Sequence, residues 1–226
     1  GIALSVEILD GGGASLIKRT GQKGAAVAIR NLVPEVGPAA AAATGGYNYA
    51  KVSADRSNPI ATYSFKTSTR LLEPEEEIEP NDDAASATEM RDEAFRNDGV
   101  RRGFASAGDV DYYLLQASSQ DMVLDISLEP PAALDAALEA SIVGGDSLGK
   151  ADAGKAGARE VLTGLRVPAG KAVLVALSGK TSKSAAGDPA PYQLRWALGA
   201  ASAVAPDGLP AGPDDGAGPV TRPGDD

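Results

Sequence analysis

Polar and apolar residues alternate in short runs along most of this chain. In "LSVEIL", Leu4, Val6 and Ile8 fall on one side and Ser5 and Glu7 on the other, the period of two expected of a half-buried strand. "MVLDISL" has the same pattern, with Leu124, Ile126 and Leu128 opposite Val123, Asp125 and Ser127, and "DYYLLQ" behaves similarly. Between such runs lie "DGGGAS", "SADRSNP" and "KTSKSAAGDPAP", whose Gly, Pro, Asp and Ser suit turns between antiparallel strands. One stretch departs from the alternation. "DDAASATEMRDEAF", from Asp82 to Phe95, predicts a turn or two of helix capped by Asp82 or Asp83. The remainder predicts an all-β chain arranged as a sandwich.

The runs also recur in order. "LSVEILDGGGASLIK" parallels "LEASIVGGDSLGK", "AIRNLVP" parallels "LTGLRVP", "YNYAKVS" answers "AVLVALS", and "YSFKT" answers "YQLRW". Four matched blocks in one order predict two tandem copies of a strand-built module. The second copy has a lead-in, Glu79 to Leu128, that the first lacks. Residues 1–72 therefore read as the C-terminal part of a module whose opening strands are missing. Residues 73–83 form an acidic linker, and 84–199 a whole module whose opening motif begins at 79. Residues 200–226, rich in Pro, Gly and Asp, predict a disordered tail.

Composition narrows the chemistry. With Cys 0 and His 0 there is no thiol nucleophile, no disulfide, no histidine base and no zinc site of the usual N/S kind. A net charge of -10 argues against nucleic acid and against anionic membrane surfaces, and no apolar run is long enough to insert into a bilayer. The chain starts at Gly1 with no charged segment leading into an apolar core, so any signal peptide is absent or already removed. It reads as a piece of a longer protein. The oxygen donors that remain suit calcium or magnesium.

Those donors concentrate in "EPEEEIEPNDD", Glu73 to Asp83, with seven carboxylates in eleven residues. Two readings stand. The segment is a hydrated linker that keeps modules apart, or it is a ligand loop. In an extended segment Glu77, Glu79 and Asn81 share a side, and a divalent cation would relieve the repulsion among them.

The stretch "EIEPNDD…SATEM…GFASAGDVDYYLLQ" resembles the bacterial pre-peptidase C-terminal domain family. The matching pieces are Glu79-Pro80-Asn81-Asp82 and Gly108-Asp109-Val110-Asp111-Tyr112-Tyr113, followed by "LDAALEASIVGGDSLG" and the closing "PYQLRW". The likeness covers about 74–199 directly and 1–72 through the repeat. It implies a jelly-roll-like sandwich, non-catalytic, carried by a secreted, periplasmic or cell-surface protein. Its partners would be upstream domains of the same parent protein and an extracellular protein or polysaccharide polymer. In calcium-binding members an alternating Glu-x-Glu-x-Asn-Asp segment wraps the ion. The resemblance thus implies calcium held by Glu77, Glu79, Asn81 and Asp82, with Asp109 and Asp111 from the body as partners. An inert spacer in a multi-module surface protein is the alternative, and a hydrolase fragment a third.

Other features carry less. Asp109 and Asp111 share a strand face, but two carboxylates alone define no reaction. "GGDSLGKA" has Gly144, Gly149 and Lys150 at phosphate-loop spacing, yet Ala151 stands where a magnesium-binding hydroxyl belongs. Ser147 and Lys150 match Ser-x-x-Lys, but Ser15 and Lys18 do so at the equivalent turn, so turn geometry explains both. Of the few aromatics, an outward Tyr112 near Trp196 would make a platform for a polymer, and otherwise these rings fill the core.

Overall fold

The computed structural model describes residues 1–33, 47–57, 60, 62–90, 97–180 and 189–201. The strands are β1 (Leu4–Leu9), β2 (Ser15–Thr20), β3 (Tyr49–Ala54), β4 (Thr88–Glu89), β5 (Asp98–Ala105) and β6 (Val110–Leu115). They continue with β7 (Met122–Glu129), β8 (Ala136–Ile142), β9 (Ser147–Ala151), β10 (Glu160–Val167), β11 (Val173–Gly179) and β12 (Ala190–Ala200). Among the described residues there is no helix, so the chain is all-β, as the alternation predicts.

β5 to β12 make the body. One sheet has the order β10-β7-β12-β5 and the other β4-β6-β11-β8-β9. Consecutive strands switch sheets at every step except the β8–β9 hairpin, which is the winding of an eight-stranded jelly roll. β4 is an addition, pairing parallel to β6. The inner faces carry the alternate residues expected of a two-layer core. Leu124, Ile126 and Leu128 of β7 and Leu194, Trp196 and Leu198 of β12 meet Val173, Val175 and Leu177 of β11 and Leu138 of β8 in one buried cluster. Trp196 is only 4% exposed and belongs to the four-stranded sheet, whereas Tyr112 lies in the other. The Tyr112–Trp196 platform is therefore corrected: the even register that turns Leu194 and Leu198 inward turns Trp196 inward as well.

β1, β2 and β3 form a separate sheet in the order β2-β1-β3. At the β1–β2 turn Asp10 Oδ1 accepts from Gly12 N at 2.9 Å and Ala14 N at 2.7 Å, while Gly13 takes a φ of 89° that an L side chain resists. The order mirrors β9-β8-β11, and β1 and β8 each carry a register shift just before their turn. The other matched blocks part company. "LTGLRVP" and "YQLRW" lie in β10 and β12, but 28–30 and 63–67 are not strands. β10 and β12 pair with β7 and β5, and no strand ahead of β1 is described that could play those parts.

The predicted helix is corrected over its described part. Asp83 does cap a turn, its Oδ1 accepting from Ala85 N and Ser86 N at 2.8 and 2.9 Å. The chain then extends into β4, because Thr88 and Glu89 find backbone partners at Tyr113 and Leu114. Residues 91–95 of that prediction and 202–226 of the predicted tail lie outside the described residues. The stretch after Gly144 runs straight into β9 and not into a helix, which leaves no phosphate loop.

Candidate metal centre

The acidic segment crosses one open side of the sandwich. Glu77 N donates to Arg102 O at 2.9 Å and Arg102 N to Glu75 O at 2.8 Å, which lays residues 75–77 along the edge of β5. Asn81 O then accepts from Tyr112 N at 2.9 Å, on β6 of the opposite sheet. Between these anchors Glu79 N donates to Asn31 O at 3.1 Å, and Val33 N to Glu79 O at 3.2 Å. The Glu79–Pro80 peptide is cis. Between these attachments alternate side chains turn inward: Glu77, Glu79 and Asn81 are buried while Ile78 is exposed.

The consequence is burial of charge. Glu77, Asn81 and Asp111 are 0% exposed, Glu79 4% and Asp109 6%, far from the hydration a linker would give them. Burying carboxylates without cations is costly, so the partners matter. Glu77 passes beneath β5 at Gly103, where a Cβ would meet Glu77 Oε2 and the Tyr192 hydroxyl. Its Oε1 accepts from Phe104 N at 2.8 Å and its Oε2 from Tyr192 Oη at 2.7 Å. Tyr113 Oη is hydrogen-bonded to Tyr192 Oη. Tyr192 is opposite Gly103 in the β12–β5 register, which explains why the one residue without a side chain is there. Sequence reasoning missed this tyrosine pair; the available signal was that buried phenols need partners.

Asp109 and Asp111 stand at the start of β6, and Asp109 O accepts from Gly179 N at 2.9 Å. One terminal atom of the Asn81 amide lies 3.1 Å from Glu79 Oε2 and 3.3 Å from Asp111 Oδ1. With NH2 turned that way it donates to both. That orientation satisfies the amide and both carboxyl oxygens, whereas the opposite one would set its oxygen against theirs. Asp111 Oδ2 is buried with no hydrogen-bond partner. Asp82 is at the rim, its side chain 40% exposed.

The cation that is present comes from β2. Arg19 forks onto Asp82, with Nη1 3.1 Å from Oδ2 and Nη2 2.9 Å from Oδ1. The same Nη2 lies 3.2 Å from Glu79 Oε1 and 2.9 Å from Asp109 Oδ1. One guanidinium faces more carboxylates than it can neutralise. Burial pushes Glu77 up to about 8, against the hydrogen bonds from Tyr192 and Phe104, with Glu79 and Asp109 adding to the rise. Burial likewise lifts Glu79 to about 7 despite Arg19. Asp109 is raised by burial, again against Arg19, and Asp111 is raised well above the carboxylate range by burial and then by Glu77, Asp109 and Glu79. Burial works against the charge of Arg19, but Asp82, Asp109 and Glu79 together hold it above its ordinary value.

All six residues predicted as ligands thus come together. Their donors are oxygens only, the type that suits calcium, and Asp111 Oδ2 is buried with no hydrogen-bond partner of its own. Among the described residues, however, no three acidic side chains stand ready around a common point to hold a metal ion. Arg19 is among them instead, and nothing in its own strand's alternation flagged it.

Comparison with known proteins gives weak likenesses. No family model matches the chain, and no curated protein matches it. Among solved structures, it is similar to PliG of Aeromonas hydrophila, a periplasmic inhibitor of g-type lysozyme, at 13% identity and a TM-score of 0.36, over 50% of this chain and 96% of that one. It is also similar to the pre-peptidase C-terminal domain of a collagenase from Bacillus anthracis, at 12% identity and a TM-score of 0.35, over 50% of this chain and 94% of that one.

Proposed function

We propose that this chain is a non-catalytic accessory module of an exported bacterial protein, a β-sandwich stabilised by calcium. The observation that carries this reading is the buried convergence of Glu77, Glu79, Asn81, Asp109 and Asp111, with Asp111 Oδ2 unpartnered. Calcium would be held by these oxygens and by Asp82 at the rim, and would supply the charge that one arginine cannot. Its role would be to fix the acidic segment across the two sheets. The exported setting, and any polymer or neighbouring domain as partner, rest on the motifs Glu79–Asp82 and Gly108–Tyr113.

The test is thermal unfolding with calcium, magnesium or chelator. Calcium sites in extracellular modules bind at about 0.1–1 mM. At a hundred times Kd, ligation adds about 2.7 kcal/mol, or roughly 5–10 °C for a domain of this size. Calcium is expected to raise Tm by that amount, magnesium to do little, and Asp111→Asn to abolish the response. An unchanged wild-type Tm, or a response that survives Asp111→Asn, would remove the reading. A second reading has its own observation, the fork of Arg19 on Asp82. In it the cluster is a structural junction in an inert spacer, and calcium leaves Tm unchanged while Arg19→Met lowers it.

A further inference from the structure

The outer face of the four-stranded sheet carries a line of arginines. Arg195 of β12 stands opposite Ser127 of β7 and Val100 of β5, and Gln193 stands opposite Glu129 and Arg102. Gln193 and Arg195 alternate with the buried Leu194 and Trp196, so they point away from the core. Arg159, just ahead of β10, donates from Nη2 to Ser127 Oγ at 3.0 Å. Arg195 Nη2 donates to Gln193 Oε1 at 2.6 Å. On β5, Arg102 lies 3.5 Å from Glu75 in an exposed pair of the kind that contributes little. Two residues further on, Phe104 carries the Arg30 guanidinium 5.5 Å from its ring centre. From Arg159 to Arg102 the line crosses adjacent strands β10, β7, β12 and β5, a span of roughly 14 Å.

We propose that this face binds an acidic polysaccharide, its carboxylates held by Arg159, Arg195 and Arg102. What sets these side chains apart is how they are held. Ser127 and Gln193 are neutral, so they fix two guanidiniums in place without cancelling their charge. Glu129 lies inside the line, yet among the described residues neither Arg159 nor Arg195 forms an ion pair. In a chain of net charge -10, a row of exposed arginines held this way is complementary to a polyanion. Each planar fork suits a carboxylate, which accepts two parallel hydrogen bonds. Gln193, its oxygen taken by Arg195, keeps its NH2 for a sugar hydroxyl. A peptide fits less well. β7 and β12 are paired on both sides, so no strand can add there, and the face has no exposed aromatic anchor. Duplex DNA, with one charge per about 1.7 Å, meets more repulsion from the rest of this acidic chain than a polymer with one carboxylate per sugar. The proposal deepens the accessory-module reading, on which it rests, by naming a partner, and it needs no calcium.

The experiment is fluorescence anisotropy of the full chain with fluorescein-labelled polygalacturonate in chelator, beside neutral dextran and duplex DNA. The wild type is expected to bind polygalacturonate, to release it as salt rises, and to leave dextran unbound. Arg159→Gln combined with Arg195→Gln is expected to weaken binding about tenfold or more. Lys150→Gln combined with Lys171→Gln removes the same charge from exposed positions off this face and is expected to leave affinity unchanged. Equal losses in the two pairs would reduce the effect to net charge and overturn the proposal. Absence of binding, or tighter binding to DNA, would overturn it as well. If the arginine pair fails to fold, Gln193→Glu decides: weaker binding at an unchanged Tm supports the proposal, and unaltered affinity overturns it. Calcium is chelated throughout, so each of these failures leaves the calcium-stabilised module to its own thermal test.

Discussion

Replacing Gly103 with alanine is expected to cost about 3 kcal/mol or more of folding stability, although it adds one methyl group. The new carbon would meet Glu77 Oε2 and the Tyr192 hydroxyl. Neither can withdraw cheaply. Glu77 is held by Phe104 N and Tyr192 Oη, and Tyr192 is itself buried in the core. Overpacking of this kind costs roughly 1–3 kcal/mol, and loss of hydrogen bonds to a buried carboxylate adds about 1.5–3 kcal/mol. Gly199, also in β12's sheet, is the control, since a Cβ there meets nothing within 4 Å. Gly199→Ala is expected to stay within about 0.5 kcal/mol of wild type. Urea denaturation of both variants decides the matter, and a Gly103→Ala protein as stable as the control would mean that Glu77 does not lie beneath β5.

In chelator, stability is expected to fall as pH rises from about 4.5 towards 8, the reverse of most carboxylate-rich proteins. Glu77 and Glu79 bind their protons more tightly in the folded chain, at about 8 and about 7, than at the ordinary value of 4.5. Below 4.5 both states are protonated and the contribution is fully present. Between 4.5 and 8 the native state holds more protons than the unfolded one, so raising pH favours unfolding. Above 8 the loss is complete. Each unit of difference is about 1.4 kcal/mol, so a loss of a few kcal/mol is expected across the window. With calcium bound the carboxylates are held ionised, and the slope should flatten. Tm measured from pH 4.5 to 8.5, with and without calcium, tests this; a flat profile in chelator would show the cluster to be well compensated by Arg19.

The same cluster shows how far the sequence could be read. The alternation of Leu124, Ile126 and Leu128 announced an inward face because a strand has only two sides. Glu77, Glu79 and Asn81 were legible as one set from their spacing, and Asp109 and Asp111 joined them through the motif at the start of β6. Arg19 was not legible. On β2 it shares a side with buried Ile17, and its partners Glu79 and Asp82 lie 60 and 63 residues further along the chain, beyond the reach of any local pattern. Gly103 was equally silent, because its meaning lies in a tyrosine opposite it across the sheet. Asp83 was read as a helix cap and caps a turn instead. Local chemistry chose the cap, and backbone pairing with β6 chose what followed.

Trp196 is the chain's single tryptophan, and its ring lies in the body about 3.0 Å from where a Cβ on Gly99 would be. The N-terminal sheet and its flanks carry tyrosines instead, with Tyr47, Tyr49 and Tyr63 largely exposed. Indole emission excited at long wavelength therefore reports on the jelly roll alone, while anything that happens first to the small sheet stays dark in that channel. A melting curve seen by backbone circular dichroism but preceding the indole transition would separate the two parts without any label.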